Sequence, residues 1–545
     1  MADKHVLSNA EPSTTLPAQV VVGRPQEQLE VQEQDTIEDE PEYPTGPKLW
    51  LTMAAMLIAV FLGGLDVTIV AVTVPSITNE FKTVADIGWY NSAYMLTTSA
   101  TMFFFGKAYG LYDVKKMFLA AIVVFWLGSV VCTFAPSSTV FVFGRALAGL
   151  GVGWKSGGVL NLMNLMFPLQ KRPTALGIIG FTQSCAMTAA PIVGGGLIQK
   201  FGWRACYGLN IPLLALAFLF SAYAMQKPKE TPENLLPWKE KVRRLDLFST
   251  LLCIPAIVCL LMALQWGGIR YGWQDARIIV LMVLGFVLLT AFAYLQWRFP
   301  ETASIPPRII KQRSVLAAMW FGFCVNGVLA VTENYMAIYY QGVRGLSPTK
   351  AGVLGVPMIV GLAAANVVAG LGVTWVGYYT PFMIFTSLVS PIASGLLTTL
   401  DLDSQVGKGA GLLGLLGFAL GVGFIAPLTA ISTVLKPSDV SIGTACTGFG
   451  GGMGSALFSS AAALLFQNRL SDEVSTYAPG TNITTIEKAG LSDIRNAIGA
   501  DSLKRVLIGY DKAVVQTLYI PLGLTILTLA ASLSMEWRSV KKKQS

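Results

Sequence analysis

The sequence predicts an all-α polytopic membrane protein, and three of its features carry that prediction. Charged residues make up 13% of the 545-residue chain, against about 25% in soluble domains. So few charges cannot coat a water-facing surface of this size. Hydrophobic residues reach 53% and mean hydropathy is +0.58. The apolar residues also run continuously, over stretches near the roughly 20 residues that a helix needs to cross a bilayer. Barrel strands would instead show short alternating segments.

Fourteen spans follow in order, near 49–75, 87–106, 117–135, 139–167, 174–199, 205–225, 246–266, 278–297, 314–341, 351–373, 379–399, 409–435, 440–466 and 514–535. An even count puts both chain ends on one side. The connecting loops of that side, with the basic tail "WRSVKKKQS", hold most of the Lys and Arg, which marks it as cytoplasmic. The net charge of +8 is largely this asymmetry and gives no reason to expect nucleic acid as a partner. The sequon Asn482-Ile-Thr484 falls in the loop 467–513 on the outer side, where glycosylation would occur. Residues 1–47 carry ten acids against two basic residues and lack the basic, then apolar, pattern of a signal peptide. They read as a disordered cytosolic tail. Seven cysteines are scattered without paired spacing, so they read as packing residues rather than a disulfide framework or a metal site.

Four ionisable residues remain well inside the spans: Asp66 in the first, Arg145 and Lys155 in the fourth, Glu333 in the ninth. Such groups cost several kcal/mol unless paired or wetted and mark a functional site by default; a structural ion pair is the competing reading. From helical rise, Asp66, Arg145 and Glu333 lie about 13, 9 and 12 Å below the outer end, and Lys155 about 24 Å. Asp66 and Arg145 are the pair to draw first. The one histidine, His5, lies in the tail. A proton pathway therefore cannot use imidazole and would need a carboxylate, Asp66 or Glu333.

The stretch "GLGVGWKS" around Lys155 imitates a phosphate-binding loop, which requires a second Gly where Trp154 stands. It sits inside one long apolar run, and its glycines at 149, 153 and 157 share a helix face that lets a neighbouring helix approach. The glycines serve packing, and no nucleotide is expected.

Together these features resemble the major facilitator superfamily, in its fourteen-helix drug:proton antiporter branch and the fungal toxin-efflux type within it. The carrying stretches are "LDVTIVAVTVP" with Asp66, "IGWYNSAYMLTT", Arg145-Ala-Leu-Ala-Gly149-Leu-Gly151, and Ala190-Pro191-Ile-Val-Gly194-Gly195, close to the superfamily's exporter motif. "QRSVLAAMWF", "GYYTPFM" and "DVSIGTA" add to it, over about residues 48–540. There are departures. The loop after the second span runs from Gly106 through Gly110 to Asp113-Val, without the family's gating aspartate and arginine, though Lys115 and Lys116 remain. Ala190 replaces the first Gly of the exporter motif. Lys155 and Glu333 stand where the family usually has uncharged residues. Gly370 to Phe382 echoes the spacing of Gly106 to Phe118, as a parallel internal repeat would.

The resemblance implies two six-helix bundles, 48–226 and 314–536, with a linker and inserted helix pair at 227–313 and a basic tail at 537–545. It implies that the first, fourth and ninth spans line a central cavity and that all four buried charges face it. Asp66, Glu333 and Arg145 are then candidates for proton coupling. Lys155, Asn161, Asn164, Gln183, Glu333, Asn334, Tyr335 and Tyr339 are candidates for substrate contact, with aromatic packing as the plain alternative. Gly106, Gly149, Gly151, Pro191, Gly194 and Gly195, with Lys115 and Lys116, are the conformational positions. The expected activity is proton-coupled efflux of an amphipathic toxin or secondary metabolite by a monomer in the plasma or vacuolar membrane. Its partners are lipid, protons and the small-molecule cargo; the proton gradient supplies energy, and no cofactor or metal is implied. An uptake carrier on the same fold is the alternative. An enzyme is disfavoured because the spans hold no nucleophile–base constellation.

Overall fold

The computed structural model describes residues 43–82, 86–225, 236–267, 271–299, 303, 305–436, 439–479 and 500–541. Residues 1–42 of the acidic tail and the Asn482 sequon lie outside them. Among the described residues the chain is nearly all helix. The first half contains α1 (Pro47–Phe81), α2 (Ile87–Leu111), α3 (Val114–Thr133), α4 (Ser138–Met166), α5 (Arg172–Phe201) and α6 (Asn210–Ala224). An inserted pair follows, α7 (Leu247–Trp266) and α8 (Ala276–Arg298). The second half contains α9 (Arg313–Ile338), α10 (Pro348–Val376), α11 (Thr380–Leu397), α12 (Val406–Phe424), α13 (Val440–Tyr477) and α14 (Tyr519–Ser534).

Twelve of the described helical stretches are long and apolar enough to cross a membrane. Helices α2 and α4 are long enough, at 25 and 29 residues, but their Thr, Ser, Gly and charged residues lower their hydropathy. The ends are set locally. Asp113 caps α3 by accepting from Lys115 N at 2.8 Å, and Asp275 caps α8 by accepting from Arg277 N at 2.9 Å, each satisfying a backbone donor that the helix leaves open.

Two expectations about boundaries are corrected. Helix α1 does not stop near Pro75 but carries it internally and runs on to Phe81. The segment 467–513 is not simply a loop. Helix α13 continues to Tyr477 and a further helix spans Ala500–Thr517. They pack together through Leu470, Val474, Val506 and Tyr510, with Gln516 donating to Glu473 at 2.7 Å. Hydropathy detects membrane residence and is blind to an amphipathic helix that continues into water.

Glycine sets how closely helices approach. On α4, Gly149 and Gly153 lie against the backbone of α2 at Tyr94 and Thr98, and Gly157 faces Tyr109, so this glycine face is a packing face. Gly151 lies against Phe125 of α3. The first half has its own apolar cores, one around Met56, Phe118, Phe125 and Met163, the other around Ile69, Tyr90, Phe141 and Trp203. A larger core unites the second half with parts of α2 and α7. Helix α7 reaches both halves: Trp266 meets Trp89 of α2 edge-on at 5.5 Å, and the Leu264 carbonyl accepts from Ser460 of α13.

The two halves meet along a seam of small residues. Gly177 and Gly180 of α5 pack on Asn366 and Gly370 of α10, and Thr174 shares a hydrogen bond with Thr374 at 2.8 Å. Gly106 of α2 packs on Ser441 and Ala445 of α13. Gly106 and Gly370, equivalent in the internal spacing, thus both serve the seam, each in its own half. The segment after α14 crosses the same end. Val540 donates to Gly377 O at 2.9 Å, and Gln170 of the first half donates to Lys541 O at 3.4 Å.

Candidate functional site

Asp66 and Arg145 face one another across α1 and α4. Arg145 Nη1 lies 2.6 Å from Asp66 Oδ2. Its Nη2 donates to the Asp66 main-chain oxygen at 3.4 Å and its Nε to Tyr90 O at 2.9 Å. The guanidinium lies over the Tyr94 ring at 4.4 Å and near the Tyr207 ring at 5.8 Å, a geometry that adds cation–π attraction. Asn210 of α6 donates to the other Asp66 oxygen at 3.4 Å and to Ser129 Oγ at 3.2 Å. Relative exposure is 1% for Asp66 and 0% for Arg145. The pair is sealed inside the first half, so the expectation that both face an open cavity is corrected. Residues of α2, α3 and α6 and Tyr207 complete its surroundings, and the rings of Tyr94 and Tyr207 flank the guanidinium.

Lys155 is sealed as well, at 4% exposure. Its Nζ donates to Ala59 O at 2.7 Å. Gly63 provides the space: a Cβ at that position would sit 2.5 Å from Nζ. Ala59, Gly63 and Asp66 share a face of α1 by their spacing of four and seven residues, so Lys155 lies on the stripe that leads to the ion pair. Among the described residues, none of the ion pairs includes Lys155. The lysine faces α1, where Ala59 O accepts its hydrogen bond and Gly63 leaves it room.

Glu333 differs from the other three. It is exposed. On α9 it shares a stripe with Gly322 and Asn326, at spacings of four and seven residues. Gly322 packs against Thr447 and Asn326 against Gly451 of α13, next to Gly452, which meets Ser99 of α2 across the seam. Glu333 therefore lies on the face of α9 that packs on α13, about 10 Å beyond Asn326. Asn334 and Gln183 are also exposed.

The remaining substrate candidates are engaged elsewhere. Asn161 is buried; its Nδ2 donates to Gly157 O at 2.9 Å, and its Oδ1 accepts from Ser441 of the second half at 2.7 Å. It is a seam contact. Asn164 is the exception: only its main-chain oxygen is engaged, accepting from Arg172 at 3.0 Å, while its side-chain oxygen is buried without a hydrogen-bond partner. Tyr335 packs edge-on against Phe466 at 5.5 Å. Tyr339 is buried and donates to Asp401 O at 2.8 Å, in a turn where the Ser404 hydroxyl holds the Asp401 carboxyl below its ordinary range. These two tyrosines are packing residues in this conformation, because sequence spacing alone does not tell which side of a helix meets a neighbour.

Among the conformational positions, Gly194 lies against Ile69 of α1, while nothing lies within 4 Å of a Cβ placed at Gly195. Pro191 is an exposed residue inside α5. Lys115 Nζ donates to Ala222 O and Met225 O at 2.7 Å each and so caps α6. Near the same end, Arg308 grips Asp439 at 2.5 and 2.9 Å, and Lys107 donates to Ala303 O at 2.8 Å. Sequence reasoning missed Asn210, Tyr94 and Tyr207 around the ion pair. A lone Asn in the apolar stretch "LNIPLLALAF" was the available signal for the first.

A buried acid–base pair in one of two helical halves that meet along a glycine seam is the arrangement of an alternating-access membrane transporter. The Major Facilitator Superfamily model matches residues 56–459, and the chain belongs to that family. It is 36% identical over 541 residues to the MFS-type transporter astH of Aspergillus oryzae, covering 99% of this chain and 95% of that one. It is 35% identical over 511 residues to the MFS thioclapurine efflux transporter tcpA of Claviceps purpurea, covering 94% of each. Among solved structures it is similar in fold to the proton:xylose symporter XylE bound to 6-bromo-6-deoxy-D-glucose, with TM-score 0.56 and 14% identity over 88% of this chain and 94% of that one.

Proposed function

We propose that this transporter exports an amphipathic organic compound, a toxin or other secondary metabolite, in exchange for protons. It does so as a monomer in the plasma membrane, with fourteen spans (α2 and α4 included) and both termini in the cytoplasm. The observation that carries the reading is the occluded Asp66–Arg145 pair, with an accessible acid, Glu333, in the other half. Similarity to named efflux proteins such as tcpA supports the direction.

In this reading the seam end that gathers Thr174, Gly106 and the segment after α14 is cytoplasmic and closed, and the bundles rock to open it. Asp66 holds Arg145 while ionised. A proton on Asp66 would remove the charge that orients the guanidinium and free it toward the Tyr90 and Tyr94 side of its pocket. That change biases one packing of α1 on α4 over another, which is how a local charge event moves a two-state element. Exchange requires proton and cargo to favour different states or to compete for one site.

The test follows retention of a panel of toxins and dyes in cells stripped of other pumps, with the proton gradient intact or collapsed. The expected result is gradient-dependent efflux that Glu333→Gln and Asp66→Asn each reduce at least tenfold per molecule of protein at the membrane. Accumulation of compounds in place of efflux would establish the uptake reading instead.

A further inference from the structure

We infer that an anionic glycerophospholipid of the bilayer binds at the α10–α11 turn, with one acyl chain in an apolar groove and its headgroup among Arg313, Arg538 and Lys541. The site lies apart from the proposed cargo path and holds whichever way the cargo moves.

A groove of about 320 Å³ runs between α10 and α11, over α12. Val368 and Val376 of α10, Pro381, Phe382 and Phe385 of α11 and Phe418 of α12 line it, all apolar. Gly372, one turn from each valine, lets the Phe382 ring come against α10; a Cβ there would sit 2.6 Å from that ring. Asn366 and Gly370, which meet α5 at the seam, stand two positions before Val368 and Gly372. The groove therefore opens about 200° around the helix from the seam. Both flanking helices are long and apolar enough to cross a membrane, and Val368, Val376 and Phe385 are exposed. At that depth the surrounding medium is hydrocarbon, so an acyl chain fills the groove. The groove ends at Val376 and Pro381, on either side of the turn Gly377–Tyr379, where the segment after α14 crosses. Val540 donates to Gly377 O at 2.9 Å, and Lys541 Nζ donates to Trp375 O at 2.5 Å. Trp375, Tyr378 and Trp537 are exposed around this turn, rings of the kind that sit at headgroup level. Arg313 and Arg538 both reach Glu536 here, at 3.3 and 2.8 Å, and Tyr379 donates to the Glu536 main-chain oxygen at 2.6 Å. Three basic side chains thus meet one acid, and the mouth of the groove is positive. A lipid phosphate can take the donors that Lys541 does not give to Trp375. A zwitterionic headgroup brings its own cation to this mouth, whereas an anionic one complements it.

The probes are dioleoyl phosphatidylserine and dioleoyl phosphatidylcholine, with identical chains and headgroups of different net charge. Each is titrated into the purified full-length protein, and bound lipid is counted by native mass spectrometry. The first phosphatidylserine is expected to bind at least tenfold more tightly than the first phosphatidylcholine. Two variants separate the parts of the site. Arg538→Gln with Lys541→Gln should bring that ratio below about threefold, and Val368→Trp, which fills the groove, should weaken both lipids at least fivefold. Lys82→Gln with Lys200→Gln, which removes two exposed charges elsewhere, should leave the ratio unchanged. Equal binding of the two lipids by the native chain overturns the inference, as does a ratio that survives Arg538→Gln with Lys541→Gln. A ratio lost equally in the Lys82 and Lys200 variant would assign it to diffuse charge, and binding unaffected by Val368→Trp would place the lipid elsewhere; either result also overturns the inference.

Discussion

Arg145 sits where a positive charge is tolerable only because Asp66 lies 2.6 Å away and the backbone of Tyr90 takes a further donor. Removing one partner from such a pair leaves an uncompensated buried charge and costs about 3–5 kcal/mol, whereas replacing both with apolar residues is often neutral. Arg145→Met is therefore expected to lower the thermal midpoint of the purified protein sharply, with Asp66→Leu in the same chain restoring most of the loss. The double variant should remain inactive in efflux, which separates the pair's structural part from its proposed part in coupling. The pairing was legible in the sequence because two opposite charges stranded in apolar runs have few other partners to choose from. The engagement of Asn161 with Ser441 was not legible, since it joins residues 280 apart on opposite halves of the chain. Nor was the inward turn of Lys155, which depends on the space left at Gly63 on another helix.

Helices pack here through glycine, and the positions differ in how much they tolerate. A Cβ at Gly417 of α12 would run into the backbone carbonyl of Met358 on α10, while a Cβ at Gly195 of α5 meets nothing within 4 Å. Gly417→Ala is expected to cost about 1–3 kcal/mol through forced separation of the two helices, and Gly195→Ala to stay within about 0.5 kcal/mol of the native chain. Chemical unfolding in detergent would check both, and equal tolerance would show that α10 and α12 are free to part. Helix positions were readable from continuous apolar runs. The helical part of 467–513 was hidden because its amphipathic surface lowers hydropathy without breaking the helix. The polar character of α2 and α4 has a related cause: these helices pack against neighbours through Thr, Ser and Gly, and so keep fewer apolar side chains.

The molecule as a whole is two helical halves joined at small-residue contacts, with α7 spanning them. The family was legible from short motifs around Asp66 and Arg145, whereas the seam needed three dimensions to appear. If the seam must open in each cycle, a covalent tie across it should stop transport. Thr174 and Thr374 already approach to 2.8 Å at their hydroxyls, within disulfide reach once both are Cys. The Thr174→Cys, Thr374→Cys double variant is expected to lose efflux under oxidation and recover it with reductant, each single variant remaining active. Unimpaired efflux by the crosslinked protein would mean that this end stays closed throughout.

The exchange of protons for cargo is tested most directly in sealed proteoliposomes with no imposed pH difference. A gradient of a transported compound is applied, and proton movement is followed with a trapped pH dye. The account predicts that cargo flowing one way drives protons the other way, and that Asp66→Asn, folded by size-exclusion and thermal criteria, abolishes the pH change. Cargo movement with no proton movement, or protons travelling in the same direction as the cargo, would contradict it.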